Sequence, residues 1–543
     1  MTTTASETPT GADLVAARLA RAGVRHAFGI PGGEVIALLD ALRRAGIAFH
    51  LSRHENAAGF MAEGTWHASG APGVLVATVG PGIANAFNVV ANAEQDRVPL
   101  IVISGMIDPV EAATYTHQVF DHGAVMRQVC KASIRLTDGA VDVQIDKAVR
   151  LALSGRPGPV HLDLPIRVAT APQPLSRQRD QLPEALSAPA PGAMLEGARA
   201  LWAASRRPVA IAGLDVLNEE DGPEAVRRFV ERHGVPLLTT YKAKGVLPED
   251  HPLSLGGHGL SPKSDAIVLP LLEEADCILS LGYDPIEMRT GWRNPWDPEK
   301  VIEFAHGIND HDMHGAAFGW TCSVVAGLTA LEDRGPAATE AAAAARAAPV
   351  RAALAEARET EREWGPEVAL AELLAALPGH VVATVDSGAH RILLSQIPFV
   401  TRPRALLQST GLCTMGCALP LALGAAIAEP ERRAVAFMGD GCAEMVLGEL
   451  ATLRDSRLPV VVVVFVDASL ALIELKQRRE GLQNTGVDFG RTDFIAVAEA
   501  FGGRGVSVSR PGEAGLALED ALAADGFTLI EVAIPRRSYD GLF

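Results

Sequence analysis

RAVAFMGDG, from Arg433 to Gly441, and PVVVVVFVD, from Pro459 to Asp467, are two short apolar runs that each carry an aspartate at or near the end. Runs of this kind, rich in β-branched residues, are strands buried on both faces, as in a parallel sheet. Between them Ala443–Arg454 has the spacing of an amphipathic helix, so the segment reads as strand, crossover helix and second parallel strand. Where such a strand runs into a helix amino terminus, free backbone N–H groups and the helix dipole favour anions. Asp440 contradicts that preference unless a cation stands between it and a phosphate, and a hard ion such as Mg²⁺, bound by oxygen ligands and bridging phosphates, fills that role. Asp467, 27 residues further on at the end of the next strand, supplies a second ligand, and Ser469 offers a backbone carbonyl. GDG alone is an ordinary turn; two strand-end aspartates flanking one crossover helix point to a metal and a diphosphate.

The same grammar extends outward. HVVATVDSG (His380–Gly388) and FTLIEVAI (Phe527–Ile534) are further strands of the last segment; PVAIAG (Pro208–Gly213) and CILSLG (Cys277–Gly282) are strands entering Gly turns in the middle. The first segment has an amphipathic helix at Gly11–Ala22 and strands at His26–Ile30, Val74–Thr78 and Leu100–Ser104. Alternating helices and buried strands predict three α/β domains, each a doubly wound parallel sheet. The boundaries are set by composition: a disordered tail at 1–10, a first domain at 11–171, a Pro-rich linker at 172–192, a central domain at 193–334, an Ala-rich linker with room for a short helix at 335–360, and a third domain at 361–543.

Composition excludes other classes. A net charge of −17 without a compensating basic run opposes nucleic acid and anionic membranes. The longest apolar stretch, Leu458–Val466, is nine residues, against roughly 20 for a bilayer span. Six scattered cysteines without CxxC spacing suggest reduced thiols, and residues 1–10 lack the features of a signal peptide, so a cytoplasmic protein is expected.

GDG followed at this interval by a strand-end Asn or Asp resembles the thiamine-diphosphate motif. The likeness runs through the chain: RHENAAGFMAEG (Arg53–Gly64), GPG (Gly80–Gly82), DRVPLIVISG (Asp96–Gly105) and TMGCALPLALGAA (Thr414–Ala426) fall in the order of the decarboxylase and acetolactate synthase branch. THQVFDHGAVMRQVCK (Thr116–Lys131), GYDPIE (Gly282–Glu287), GVDFGRTDFIAVAEAFG (Gly486–Gly502) and the use of Asp467 resemble catabolic, flavin-independent acetolactate synthases.

That resemblance implies pyrimidine-binding, central and diphosphate-binding domains, thiamine diphosphate with Mg²⁺, and decarboxylation of a 2-oxo acid with carboligation, two pyruvates giving 2-acetolactate and CO₂. It makes Glu55 the carboxyl that activates the cofactor pyrimidine, where the sequence alone would offer a salt bridge with Arg53. It places Gln118 and His117 toward the substrate and gives Asp440, Asp467 and Ser469 to the metal. Cofactor contacts would come from Gly32, Gly33, Pro81, Ser387, Gly388, His390, Cys413 through its carbonyl, Met415 as the wedge between the cofactor rings, Gly439, Gly441, Cys442, Ser469 and Leu470. A homodimer is implied, because the superfamily builds its site between two chains, and a homotetramer is the commoner form. FAD is not expected, as no flavin motif is identifiable, and without GxGxxG a dehydrogenase reading finds no support.

Two positions depart from the pattern. Catabolic acetolactate synthases carry a basic residue where this chain has Glu34, in IPGGEVIALLD, and an acid there disfavours a second 2-oxo acid as acceptor. Leu470 replaces the usual aromatic residue. These leave open a decarboxylase, or a carboligase or lyase with another donor or an aldehyde acceptor. A cofactor-binding scaffold without catalysis is the reading from another class, and the retained Glu55 argues against it.

Overall fold

The computed structural model describes residues 8–175, 186–309, 311–331, 340–359 and 361–543. It contains three six-stranded sheets. The first comprises β1 (His26–Gly29), β2 (Ala48–Leu51), β3 (Gly73–Ala77), β4 (Leu100–Met106), β5 (Ala132–Arg135) and β6 (Val160–Pro165). The second comprises β7 (Pro208–Ala212), β8 (Leu237–Thr239), β9 (Ser254–Gly257), β10 (Cys277–Leu281), β11 (Val301–Ala305) and β12 (Phe318–Thr321). The third comprises β13 (Val382–Val385), β14 (Leu406–Gln408), β15 (Ala434–Gly439), β16 (Val461–Val466), β17 (Arg504–Val508) and β18 (Thr528–Ala533). Runs such as Val461–Val466 and Gly73–Ala77 are buried at every residue, as central strands covered by helices on both faces require.

The first and third sheets share one topology. Their orders, β2-β1-β3-β4-β6-β5 and β14-β13-β15-β16-β18-β17, are the same permutation. In both, the strand order reverses between the first and third strands, and the crevice beyond the carboxyl ends at such a reversal is where open α/β sheets bind ligands. Those ends carry Ile30–Gly33 and Thr78–Gly82 in the first sheet, and Asp386–Gly388 and Asp440–Cys442 in the third. The central sheet runs β12-β11-β10-β7-β8-β9, with its reversal between β7 and β10. There the chain packs on itself: a Cβ on Gly213 would lie 2.4 Å from the Gly282 carbonyl oxygen, and one on Gly282 would lie 2.8 Å from Asp215 Cβ.

The chain divides into two compact units that do not follow the linear boundaries. One holds the first sheet together with residues 411–434 and 444–460, and the other holds the second and third sheets. Helix–helix packing explains the first. The helix Ala418–Ala428, buried over all but its last residue, crosses the helix Glu55–Ser69 at backbone distance. A Cβ on Gly424 would lie 2.0 Å from the Met61 carbonyl oxygen, and one on Gly64 would lie 2.4 Å from that of Leu421. Gly424→Ala is therefore expected to cost at least about 1–3 kcal/mol of stability, read as a fall in denaturant midpoint; an unchanged midpoint would contradict this crossing.

Several expectations change. The single helix over Ala443–Arg454 is two, Asp440–Met445 and Glu449–Ser456, interrupted at Val446–Gly448, where Gly448 packs close to Arg53. Asp440 does not precede the helix in a turn but is its first residue, with its Oδ1 accepting the Gly441 N–H at 2.8 Å. Pro9 and Thr10 are placed by contacts that a free tail lacks: Thr10 forms a capping box with Asp13, and the Pro9 carbonyl accepts from Gln173 N–H. The rest of the tail, at 1–7, lies outside the described residues. So do 176–185 of the first linker and 335–339 and 360 of the second. Within the second, Glu340–Glu356 forms a 17-residue helix, consistent with the high helix propensity of alanine. Among the described residues, no helix is long and apolar enough to cross a membrane.

Candidate active site

In the third sheet, strand ends gather the residues of the diphosphate and metal prediction. The β15 strand delivers Gly439 and Asp440, and β16 delivers Asp467. Asp440 Oδ2 accepts the backbone N–H groups of Asp467 (3.1 Å) and Ala468 (2.7 Å), so the first aspartate fixes the loop bearing the second. Ala468 is held at φ 56°, a left-handed conformation costly for a residue with a side chain. The loop is strapped from outside: Leu470 N–H donates to the Val487 carbonyl at 2.7 Å, and Ser469 Oγ donates to Asp488 at 2.8 Å. The β13 strand brings Ser387 and Gly388 alongside, where Cys442 Sγ donates to the Ser387 carbonyl at 3.2 Å. A Cβ on Gly388 would lie 2.8 Å from the His390 ring, which requires glycine there.

The electrostatics fit a cation. Burial first, then the neighbouring charge of Asp440, push the Asp467 carboxyl up to about 7. Asp467 Oδ2, Ser387 Oγ and His390 Nε2 are buried without a hydrogen-bond partner among the described residues. Burial and the adjacent Arg391 push His390 down to about 3, so its ring is neutral. A divalent ion would satisfy the orphaned carboxylate oxygen and offset the repulsion between the two aspartates. The donors present suit Mg²⁺ and a phosphate group.

In the first sheet's unit, Glu55 is the first residue of the helix Glu55–Ser69 and is buried. Its Oε2 accepts from Asn85 Nδ2 at 3.1 Å. Arg53 does not pair with it; its guanidinium meets Asp455 at 2.5 Å, while Arg53 and His54 N–H groups donate to Glu449 Oε1. Pro81 opens the helix Pro81–Gln95, and a Cβ on Gly82 would approach Glu55 Oε1 to 3.3 Å and Thr78 Cγ2 to 2.8 Å. Thr78 Oγ1 in turn donates to Glu34 Oε2 at 2.7 Å, which brings Glu34 to the same turn. Gly32 packs against Thr78, whereas a Cβ on Gly33 meets nothing within 4 Å. Gln118, at φ 60°, presses its backbone against Gly80; His117 is exposed with its ring toward Tyr115. Cys413 is exposed at φ 53°, Met415 is half-buried, and Thr414 Oγ1 between them accepts from Asn88 Nδ2 at 3.2 Å.

The predicted residues thus assemble into two groups. Glu55, Pro81, Gln118 and Gly32 lie around one turn, with Cys413–Met415 tied to the same helix through Asn88; Ser387, Gly388, His390, Gly439–Cys442, Asp467, Ser469 and Leu470 form the other. Sequence reasoning missed Asn85, Thr78 and Glu449. Asn85 carried a weak signal, standing one helical turn after the GPG that starts its helix.

Comparison with known proteins places this arrangement. Residues 9–125 match the thiamine pyrophosphate enzyme N-terminal TPP binding domain, 195–330 the central domain and 386–532 the C-terminal TPP binding domain. The chain belongs to the thiamine pyrophosphate enzyme family, and the cofactor of its outer domains is thiamine diphosphate. Within it the chain stands close to acetolactate synthases. It is 28% identical to the acetolactate synthase of Bacillus subtilis over 96% of this chain and 93% of that one. Identity is 30% to the acetolactate synthase isozyme 1 large subunit of Escherichia coli, over 98% and 95%. It is 32% to the probable acetolactate synthase 2, chloroplastic, of Oryza sativa, over 97% and 83%.

Proposed function

We propose that this chain is a cytoplasmic acetolactate synthase that takes two pyruvates to 2-acetolactate and CO₂. The observation that carries the reading is the buried Glu55, released from Arg53 and oriented by Asn85 at the ligand crevice of the first sheet. Thiamine diphosphate, when bound, would supply a carbon nucleophile and an electron sink for decarboxylation of a 2-oxo acid. Glu55 holds and exchanges a proton at the pyrimidine N1′. Asp440, Asp467 and the Ser469 carbonyl hold Mg²⁺. Ser387, Gly388, His390, Gly439, Gly441, Cys442 and Leu470 cradle the diphosphate side. Gly32, Gly33, Pro81, the Cys413 carbonyl and Met415 fix the pyrimidine and the angle between the rings. Gln118 and His117 orient the 2-oxo acid.

The working unit is a homodimer in which the Glu55 group of one chain serves the diphosphate group of the other, with two dimers making a tetramer. Exposed Tyr115, Val119 and Phe120 on the loop of His117 and Gln118 are apolar surface that a second copy would cover.

Incubating the protein with pyruvate, thiamine diphosphate and Mg²⁺ tests the reading: acetolactate is expected, and CO₂ with acetaldehyde alone would make it a decarboxylase. Glu34 favours that second reading, since its carboxylate accepts from Thr78, whose turn Gly82 shares with Glu55, and would repel an acceptor bearing its own carboxylate. Glu34→Gln is expected to raise the acetolactate-to-acetaldehyde ratio roughly fivefold, the equivalent of two charges about 4 Å apart in water. An unchanged ratio would remove Glu34 from the acceptor site.

A further inference from the structure

Beneath the turn that carries Glu55's neighbours lies a chain of buried polar groups to which no role has been given. His122 Nδ1 meets Asp163 Oδ1 at 2.9 Å, and Ser104 Oγ donates to the same oxygen at 2.8 Å. Ser104 Oγ also meets His161 Nε2, and Ser133 Oγ meets His161 Nδ1, each at 2.8 Å. At the other end Gly80 N–H donates to His122 Nε2 at 3.3 Å.

These contacts allow one assignment of protons. The Gly80 amide is a donor only, so His122 Nε2 is an acceptor and its proton sits on Nδ1, donated to Asp163. The Ser104 hydroxyl proton also goes to Asp163, so Ser104 Oγ accepts from His161 Nε2–H. His161 Nδ1 is then bare and accepts from Ser133. Burial pushes His161 down to about 4, consistent with a neutral ring. A cation is a poor alternative, although two histidines and an aspartate converge, because ligands around one tetrahedral zinc stand about 3.3 Å apart. Contacts of 2.8 to 2.9 Å are hydrogen bonds between the groups themselves.

The upper end of the chain bears on the site. Gly80 adopts φ 69°, ψ −105°, and Gln118 adopts φ 60°. The two backbones are so close that a Cβ on Gly80 would lie 2.5 Å from the Gln118 carbonyl oxygen. Two residues later Gly82 passes Glu55. Such a conformation persists only where its surroundings hold it. His122 is four residues from Gln118 in the chain and hydrogen-bonded to Gly80, so it joins the two pieces of backbone.

We propose that His122, locked in one tautomer by Asp163, is a positioning residue that sets the Gly80 turn against Gln118 and Glu55. The proposal rests on the reading of Glu55 and Gln118 as site residues. A pair of substitutions separates this role from space-filling. The His122→Gln amide reaches where Nε2 stood and keeps an acceptor for Gly80; the His122→Asn amide reaches where Nδ1 stood, keeps Asp163 and abandons Gly80. Backbone hydrogen exchange in the ligand-free protein, with kcat and KM for CO₂ release from pyruvate, gives two readouts. In H122N the Val79–Ile83 amides should exchange about tenfold faster and kcat should fall about tenfold with KM little changed. H122Q should recover most of both. Equal exchange and equal kcat in the two variants would overturn the proposal. If neither variant folds, ¹⁵N spectra of histidine in the wild-type protein decide it: His122 must carry its proton on Nδ1, and a proton on Nε2 refutes the assignment. Absence of CO₂ release from the wild type would defeat the functional reading, while exchange at Gly80 would still test the positioning.

Discussion

Replacing Glu55 with glutamine is expected to lower turnover by roughly 10²–10⁴-fold, the usual worth of general acid–base assistance, with only a modest loss of thiamine diphosphate affinity. The asymmetry follows from the separation of tasks. Diphosphate and metal contacts are assigned to the third sheet, whereas Glu55 is held in the first sheet's unit by Asn85. A glutamine there can still hydrogen-bond a ring nitrogen and can still meet Asn85, so the fold should persist. It cannot exchange a proton. The check is deuterium exchange at the reactive carbon of bound thiamine diphosphate, quenched and read by NMR. Wild-type exchange rates in E55Q would show that another group activates the cofactor.

The second large effect concerns the metal. Asp440→Ala is expected to weaken Mg²⁺-dependent thiamine diphosphate binding by more than about 100-fold, since losing even an outer-sphere partner of a metal costs roughly 10–100-fold. Asp440 also anchors the Asp467 loop through two backbone N–H groups, so Asp440→Asn, which keeps an acceptor, separates loss of the ligand charge from loss of the loop. Asp467→Asn should be tolerated: it removes a carboxyl that burial and Asp440 already push up to about 7, and leaves an oxygen ligand in place. Removing Mg²⁺ from the wild-type protein with a chelator should abolish cofactor binding in the same titration. Unchanged affinity in D440A, or binding indifferent to chelation, would take the metal away from these aspartates.

How much of this was written in the chain depends on whether the cause is local. Central strands are legible because burial on both faces demands continuous apolar runs, and Val461–Val466 and Cys277–Leu281 announce themselves. Asp440 and Asp467 are legible because a carboxylate at a phosphate-binding strand end needs a cation to explain it. The break at Val446–Gly448 is not, because Gly448 is dictated by the approach of Arg53, almost 400 residues earlier in sequence. Nor is the division into units: the glycines that let Glu55–Ser69 and Ala418–Ala428 touch are 360 residues apart, at 64 and 424. The partner of Glu55 is illegible in the sequence for a similar reason. Arg53 stands two residues away, but a helix start points the two side chains apart, and the carboxylate finds Asn85 on the next helix. The His122 chain was invisible because its members come from five separate segments and no spacing rule joins them.

The central claim is that Glu55 and the Asp440–Asp467 site together make a thiamine-diphosphate-dependent enzyme acting on a 2-oxo acid. CO₂ release from a panel of 2-oxo acids, measured with thiamine diphosphate and Mg²⁺ together and with each left out, tests it most directly. The account predicts release from pyruvate that requires both and disappears when either is omitted. A protein that binds thiamine diphosphate tightly yet releases CO₂ from no member of the panel would contradict it, and would leave a cofactor-binding scaffold in its place.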